Sequence, residues 1–217
     1  MNRNPNNIIK KLKTALSGDL PGTEIQWEMA SSDRMIRDFP RKKNIDSRLG
    51  AVLILLYPVE GKIYTVLIQR PVYDGVHSGQ IGFPGGKKDG ADRDLIETSI
   101  RETCEETGVC NDQVEVIATL TPLFIPVSNI EVTPVLAFSN ERPAFHPSED
   151  EVEHIIEVEL TRFFDITIIK EKLMDVGDDH LIVKFYDYDG YVIWGATAMI
   201  LHELLVLIKR EDISLQV

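Results

Sequence analysis

Cysteine is scarce in this chain: 217 residues carry two, Cys104 and Cys110. That excludes a small disulfide-framework fold, and the absence of a CxxC pair argues against a structural zinc site. Basic residues are short as well. Lys and Arg number 23 against 35 Asp and Glu, a net charge of -12. A chain with that balance has no broad basic face with which to displace counterions from a phosphate backbone, so nucleic acid is not an expected partner. Long apolar runs are missing: no stretch approaches the ~20 residues that cross a bilayer. The opening "MNRNPNNIIKKLKTAL" lacks the uninterrupted apolar core of a signal peptide. The expectation is a cytoplasmic protein with no membrane partner and with both thiols reduced. Internal repeats and low-complexity tracts are absent too.

What is present suffices for one domain with terminal additions. The hydrophobic fraction of 43% is ordinary for a packed core. Ile8, Ile9, Leu12, Ala15 and Leu16 recur at helical spacing before "SGDLPG" stops the helix. Residues 1–47 therefore read as an N-terminal helical extension and 48–217 as the main domain. There, "AVLILLY" (51–57) reads as a buried strand and "KIYTVLIQR" (62–70) as its hairpin partner across Pro58 to Gly61. Strand-like "VEVIATLTPLF" (114–124), "IEVTPVLAFS" (130–139) and "IIEVEL" (155–160) follow. "VKFYDYDGYVIW" (183–194) reads as a hairpin, and "GATAMILHELLVLIKR" (195–210) as a helix with an apolar stripe. Strands outnumber helices and hairpins dominate. The expected fold class is α/β, a mixed and largely antiparallel sheet flanked by helices.

The chemistry concentrates in "GGKKDGADRDLIETSIRETCEETGV" (85–109). A helix is expected from about Asp92 to Thr107, with Gly108 just past its end. At ~100° per residue, Ile96, Ser99, Ile100, Thr103 and Thr107 share the arc that would pack on a sheet. Glu102, Glu105 and Glu106 share a different arc. Glu102 and Glu106 are an i,i+4 like-charge pair, which costs a few tenths of a kcal/mol. They also lie toward the C-terminal end, where the helix dipole already disfavours negative charge. Arg101 can reach Glu105 and Glu97 at i±4 and relieves part of the repulsion. An isolated pair of glutamates on a helix is ordinarily a solvated face. Here the cluster follows "FPGG" (83–86), where backbone can approach a ligand closely. That context favours carboxylate oxygens converging on one hard divalent cation, a device suited to phosphate chemistry.

These residues resemble the Nudix (MutT-like) signature, G-x5-E-x7-R-E-U-x-E-E-x-G-U with U apolar. "RETCEETGV" (101–109) fills its second half, with Thr103 in place of the apolar residue. The first half departs: the acidic position falls at Asp92, and eight residues rather than seven precede Arg101. That lengthening is similar to the coenzyme A pyrophosphatase branch. The branch also carries an upstream element like "LIQRPVYDGVHSGQIGFPGG" (67–86), in which Arg70, His77, Gly79, Gln80 and "FPGG" match. "PVSNIEVTPVLAF" (126–138) and "IWGATAMIL" (193–201) look like that branch as well.

The resemblance implies an α/β/α Nudix sandwich and a pyrophosphohydrolase acting on coenzyme A or its derivatives. Its products would be phosphopantetheine and adenosine 3′,5′-bisphosphate. It implies Mg2+ or Mn2+ held by Glu102 and Glu106, with Glu105 a third ligand or one reached through water. Arg101 would orient the carboxylates and brace the loop. Arg70, His77, Gln80, Gly85 and Gly86 would bind substrate. The general base is Glu102 or a carboxylate of the later loop "SEDEVEH" (148–154), which offers Glu149, Glu151 and Glu153. Enzymes of this kind are often dimers, so a homodimer belongs to the expectation. Arg70 or the basic run Arg41–Lys43 could contact a 3′-phosphate, although such a run is more often a solvent-facing linker. Rival readings are a Nudix enzyme of another substrate, such as ADP-ribose or a nucleotide sugar, and a sensor that binds a nucleotide without cutting it. Retention of Arg101, Glu102, Glu105 and Glu106 argues against the sensor.

Overall fold

The apolar run that begins at Ala51 lies inside the central strand, β1 (Arg48–Val59), which is buried on both faces. Its residues alternate between two cores, as the two-residue period of a strand requires. Ala51, Leu53, Leu55 and Tyr57 enter one cluster, and Ile54 and Leu56 the other. The structure, a computed structural model, describes residues 5–32, 47–74, 77–176 and 179–216. The Arg41–Lys43 run lies outside them.

β2 (Lys62–Gln69) folds back on β1 with Val59 opposite Lys62. Glu60 and Gly61 both take positive φ, 49° and 79°, the turn that matches strand twist in a two-residue hairpin. Two short strands, β3 (Ile81–Gly82) and β4 (Gly85–Lys87), add to β2 and β1 respectively. β5 (Glu115–Thr119) and β6 (Leu123–Ile125) both pair with β7 (Ile130–Phe138), and β8 (His154–Glu159) pairs with β2. β1 and β7 run parallel, and every other pairing in this eight-stranded sheet is antiparallel. β9 (Ile169–Val176), β10 (Asp179–Tyr188) and β11 (Tyr191–Trp194) form a second, antiparallel sheet. The expected α/β class with a mixed, largely antiparallel sheet is the observed one.

Helices close both faces. α1 (Pro5–Leu16), α2 (Gly22–Trp27) and the C-terminal α4 (Gly195–Arg210) share one core with Ile54, Leu56 and Leu136. α3 (Leu95–Thr107) covers the other face, where Leu95 and Ile96 pack on the cluster of Leu53, Leu55 and Val135. No helix among the described residues is long and apolar enough to cross a membrane.

Several expectations need correction. Cys104 and Cys110 are joined in a disulfide rather than standing as reduced thiols. Gly108, at φ 76°, reverses the chain at the end of α3 and donates its N–H to the Cys104 carbonyl at 2.9 Å. The reversal brings the two Cα atoms to 4.5 Å. The helix starts at Leu95, not Asp92, because Asp94 caps it by accepting from the Glu97 N–H at 2.9 Å. The single strand expected over 114–124 is two, with Pro122, which has no N–H to donate, in the gap. α2 and β9 had no clear pattern in the sequence.

Because Leu12 is fully buried beside the strands, Leu12→Ala should cost about 2–5 kcal/mol, the range for emptying a core leucine site. Urea unfolding measures it. A wild-type midpoint would mean that α1 contributes nothing to the stability of the main body.

Candidate active site

β4 runs antiparallel to β1 with Gly86 opposite Ala51 and Gly85 opposite Val52. This lays the "FPGG" backbone across the middle of α3. Gly85 is required sterically, and Gly86 leaves space that a carboxylate fills. A β-carbon on Gly85, already at φ 147°, would lie 2.5 Å from the Val52 Cα. One on Gly86 would lie 2.5 Å from the carboxyl carbon of Glu102. The missing side chain at Gly85 lets β4 lie close against β1, and the one at Gly86 leaves room for the Glu102 carboxylate.

Glu106 is the deeper of the two, with 2% of its surface exposed. It accepts from the Gly85 N–H at 2.8 Å and pairs with the Arg70 guanidinium at 3.2 Å. Arg70 also donates to the Gly85 carbonyl at 3.1 Å. Burial nevertheless pushes the Glu106 carboxyl up to about 7, against the pull of Arg70 and Gly85 and with the charges of Glu102 and Glu151 adding to the rise. Burial raises Glu102 too, opposed by Arg101 and reinforced by Glu105 and Glu151. The buried arc of α3 therefore passes through Thr98, Ser99, Thr103 and Glu106. The sequence had placed Glu106 on the other arc and Ile100 on this one, and Ile100 is only half-buried. Thr103 fits where an apolar residue was expected because its hydroxyl donates to the Ser99 carbonyl at 2.7 Å.

Arg101 ties the assembly together. Its Nε meets Asp92 at 2.9 Å, and its terminal nitrogens reach Glu102 at 2.9 Å, Glu105 at 3.0 Å and the Lys87 carbonyl at 3.2 Å. Hydrogen bonds from Arg101, then from the Asp89 N–H, hold the Asp92 carboxyl well below its ordinary range. Glu97 does not share Arg101, because Arg93 holds it at 3.0 Å. Asp92 thus acts as the brace of Arg101, placed there by the turn that precedes the helix.

The remaining candidates divide by position. His77, at φ 70°, bonds Gln80 at 2.9 Å, Nδ1 to Oε1, in the neighbouring loop. That loop is closed by the Arg70 N–H to the Gln80 carbonyl at 3.0 Å. Glu149, Glu151 and Glu153 are all exposed. Of these, Glu151 is the one whose charge is felt at both Glu102 and Glu106. Its loop is docked on α3 through the Ser148 N–H, which donates to the Glu106 carbonyl at 3.0 Å.

Glu102 and Glu106 suit a divalent ion by their chemistry: two hard oxygen donors one helical turn apart, beside a loop stripped of side chains, with charge that burial has made costly. Glu105 is more exposed and is bonded to Arg101. Among the described residues, no three His, Cys, Asp or Glu side chains are gathered closely enough to enclose an ion.

Comparison with known proteins agrees with this geometry. A NUDIX domain model matches residues 47–185. A Nudix hydrolase named NudL from Pectobacterium atrosepticum is 37% identical over 165 residues, covering 75% of this chain and 83% of its own length. NudL of Escherichia fergusonii is 32% identical over 189 residues, covering 83% of this chain and 93% of itself. Among solved structures, the Nudix hydrolase RenU of M. smegmatis superposes with a TM-score of 0.54 at 17% identity, covering 76% of this chain and 87% of its own, a likeness of fold.

Gly86→Ala should displace the Glu102 carboxylate and lower hydrolytic turnover by roughly 10²-fold, as a misplacement of about 1 Å can. Gly90→Ala, where an added methyl meets nothing within 4 Å, should leave turnover unchanged. Steady-state rates of the two variants compare them. Equal rates would mean that the close approach of β4 to Glu102 has no bearing on catalysis.

Proposed function

The chain belongs to the Nudix family, and from that premise we propose that it cleaves the diphosphate of coenzyme A or an acyl derivative, using Mg2+ or Mn2+ held by Glu102 and Glu106. The coarser statement needs no proposal: it is a hydrolase of a nucleoside diphosphate derivative. The observation that carries the reading is the pair Glu102 and Glu106 pressed against the glycine loop, with Arg70 and Arg101 bonded to them. The substrate reading rests on the Arg70 to Gln80 element and on the lengthened stretch before Arg101.

A bound divalent ion would neutralise phosphoryl oxygens and acidify a water. The chain's own part is positioning. Arg101, braced by Asp92, holds Glu102 in place, and the Gly85 N–H and Arg70 hold Glu106. Glu151, exposed and with its charge felt at both glutamates, would take a proton from the attacking water, with Glu102 the alternative base. Arg70 is already bonded to Glu106, so we assign it to the diphosphate rather than to a remote 3′-phosphate. A contact that distinguishes coenzyme A from dephospho-coenzyme A would then come from elsewhere, for which the basic run Arg41–Lys43 is the candidate.

Glu102→Gln and Glu106→Gln should each lower turnover by about 10²- to 10⁴-fold, the effect of losing a positioned base or ligand. Phosphate-product assays with Mg2+ or Mn2+ on coenzyme A, dephospho-coenzyme A and ADP-ribose check the substrate as well. Coenzyme A should show the highest kcat/KM, and Arg70→Ala should depress all three. Preference for ADP-ribose by tenfold would remove the coenzyme A assignment and leave the Nudix chemistry standing.

Stability gives an independent readout. In chelator, Glu106→Gln should melt at or above the wild-type temperature, because it removes a buried charge that burial already disfavours. With saturating Mn2+ the wild type should gain stability by linkage, and the variant should gain less. A variant that melts far below wild type in chelator would make Glu106 a structural carboxylate.

A further inference from the structure

Residues 139–153, between β7 and β8, have no regular secondary structure, and connections of that length are commonly functional. This one is tied down at every stage. At its start the Ser139 N–H donates to the Leu56 carbonyl at 2.8 Å. Arg142 then grips Glu157 of β8 with two hydrogen bonds, 2.8 and 2.6 Å. Glu157 also accepts from the Tyr57 hydroxyl of β1 at 3.0 Å. Phe145 sits in this corner, edge-on to the Tyr57 ring at 5.8 Å and with the Arg142 guanidinium 5.9 Å from its ring centre.

From that corner the chain crosses to the catalytic helix. The N–H groups of His146 and Ser148 donate to the carbonyls of Thr107 and Glu106 at 2.8 and 3.0 Å. These are carbonyls that the end of α3 leaves without helical partners. Gly108 makes room, because a β-carbon there would stand 2.8 Å from the His146 Cβ. A tight turn follows, with the N–H groups of Glu151 and Val152 on the Ser148 carbonyl at 3.3 and 3.0 Å and Val152 buried. The Glu153 N–H closes on the Gln69 carbonyl at 2.9 Å, next to Arg70. Glu151 thus rides on a turn with one foot on the backbone of Glu106 and the other on the end of β2.

We propose that Arg142 and Phe145 are positioning residues for the hydrolysis, fixing this loop on the sheet so that Glu151 is delivered over Glu102 and Glu106. The inference rests on the catalytic role given to Glu151 above. Arg142 touches neither Glu102 nor Glu106 and acts through the loop. Its ion pair with Glu157 is half exposed, 54% and 25%, and such pairs contribute little to global stability. A purely structural role therefore predicts small effects everywhere. A positioning role predicts a loss confined to kcat.

The test is a double-mutant cycle between Arg142→Ala and Glu151→Gln, run on whichever of coenzyme A or ADP-ribose the wild-type enzyme cleaves faster, so that an error in the substrate leaves the cycle readable. Arg142→Ala should lower kcat about tenfold with KM within twofold and little change in melting temperature. In the Glu151→Gln background it should cost nothing further. Phe145→Leu, which keeps an apolar side chain, should repeat the pattern should Arg142→Ala fold poorly. Wild-type kcat in Arg142→Ala, or losses that multiply in the double variant, would overturn the proposal. So would full activity of Glu151→Gln, although metal-dependent hydrolysis by the wild type would still uphold the proposed function.

Discussion

A buried carboxylate, Glu106, sets the terms for the elements around it. Its charge is disfavoured by burial, and one backbone N–H and one arginine offset only part of that cost. To bring the Gly85 N–H to it, β4 must lie against β1 without a side chain at Gly85, and Gly86 leaves room beside it for Glu102. Arg70 must stand at the end of β2, and the chain must reach that point through a loop closed by backbone bonds. The apolar clusters place the strands and helices, and this one group accounts for the arginine and the backbone N–H that meet it.

Glu203 in α4 shows the contrast. It is as deeply buried, yet it accepts from the Gly22 N–H at 3.1 Å, the Gln26 side chain at 2.8 Å and the Thr121 hydroxyl at 2.5 Å. Those neutral donors staple α2 and the segment between β5 and β6 to α4. A carboxylate with three donors is a structural tie. Glu106 has one backbone N–H and one arginine, and a buried carboxylate with raised proton affinity is a candidate for a functional group.

Much of this was legible beforehand. The buried strand "AVLILLY", the hairpin across Pro58 to Gly61 and that within residues 183–194, the stripe of α1 and the helix of α4 all follow from local periodicity and turn chemistry. The cluster of glutamates and the glycine loop before it were visible in residues 83 to 108 alone, although not which of the glutamates turns inward. The corner of Tyr57, Arg142, Phe145 and Glu157 was not, because its members lie up to 100 residues apart and no spacing announces them. The Cys104–Cys110 bond escaped for a related reason: the proximity of the two residues depends on the αL turn at Gly108.

Local physics, then, reached as far as strand and helix identity and the presence of three glutamates on α3 next to a glycine loop, since each depends on a few neighbouring residues. Tertiary structure decided which carboxylate would be buried and which exposed, because that depends on what packs across the helix. It turned Glu106 inward against Gly85 and Arg70, gave Glu105 to Arg101 at the surface, and docked the loop that bears Glu151 on the end of α3 and on β2.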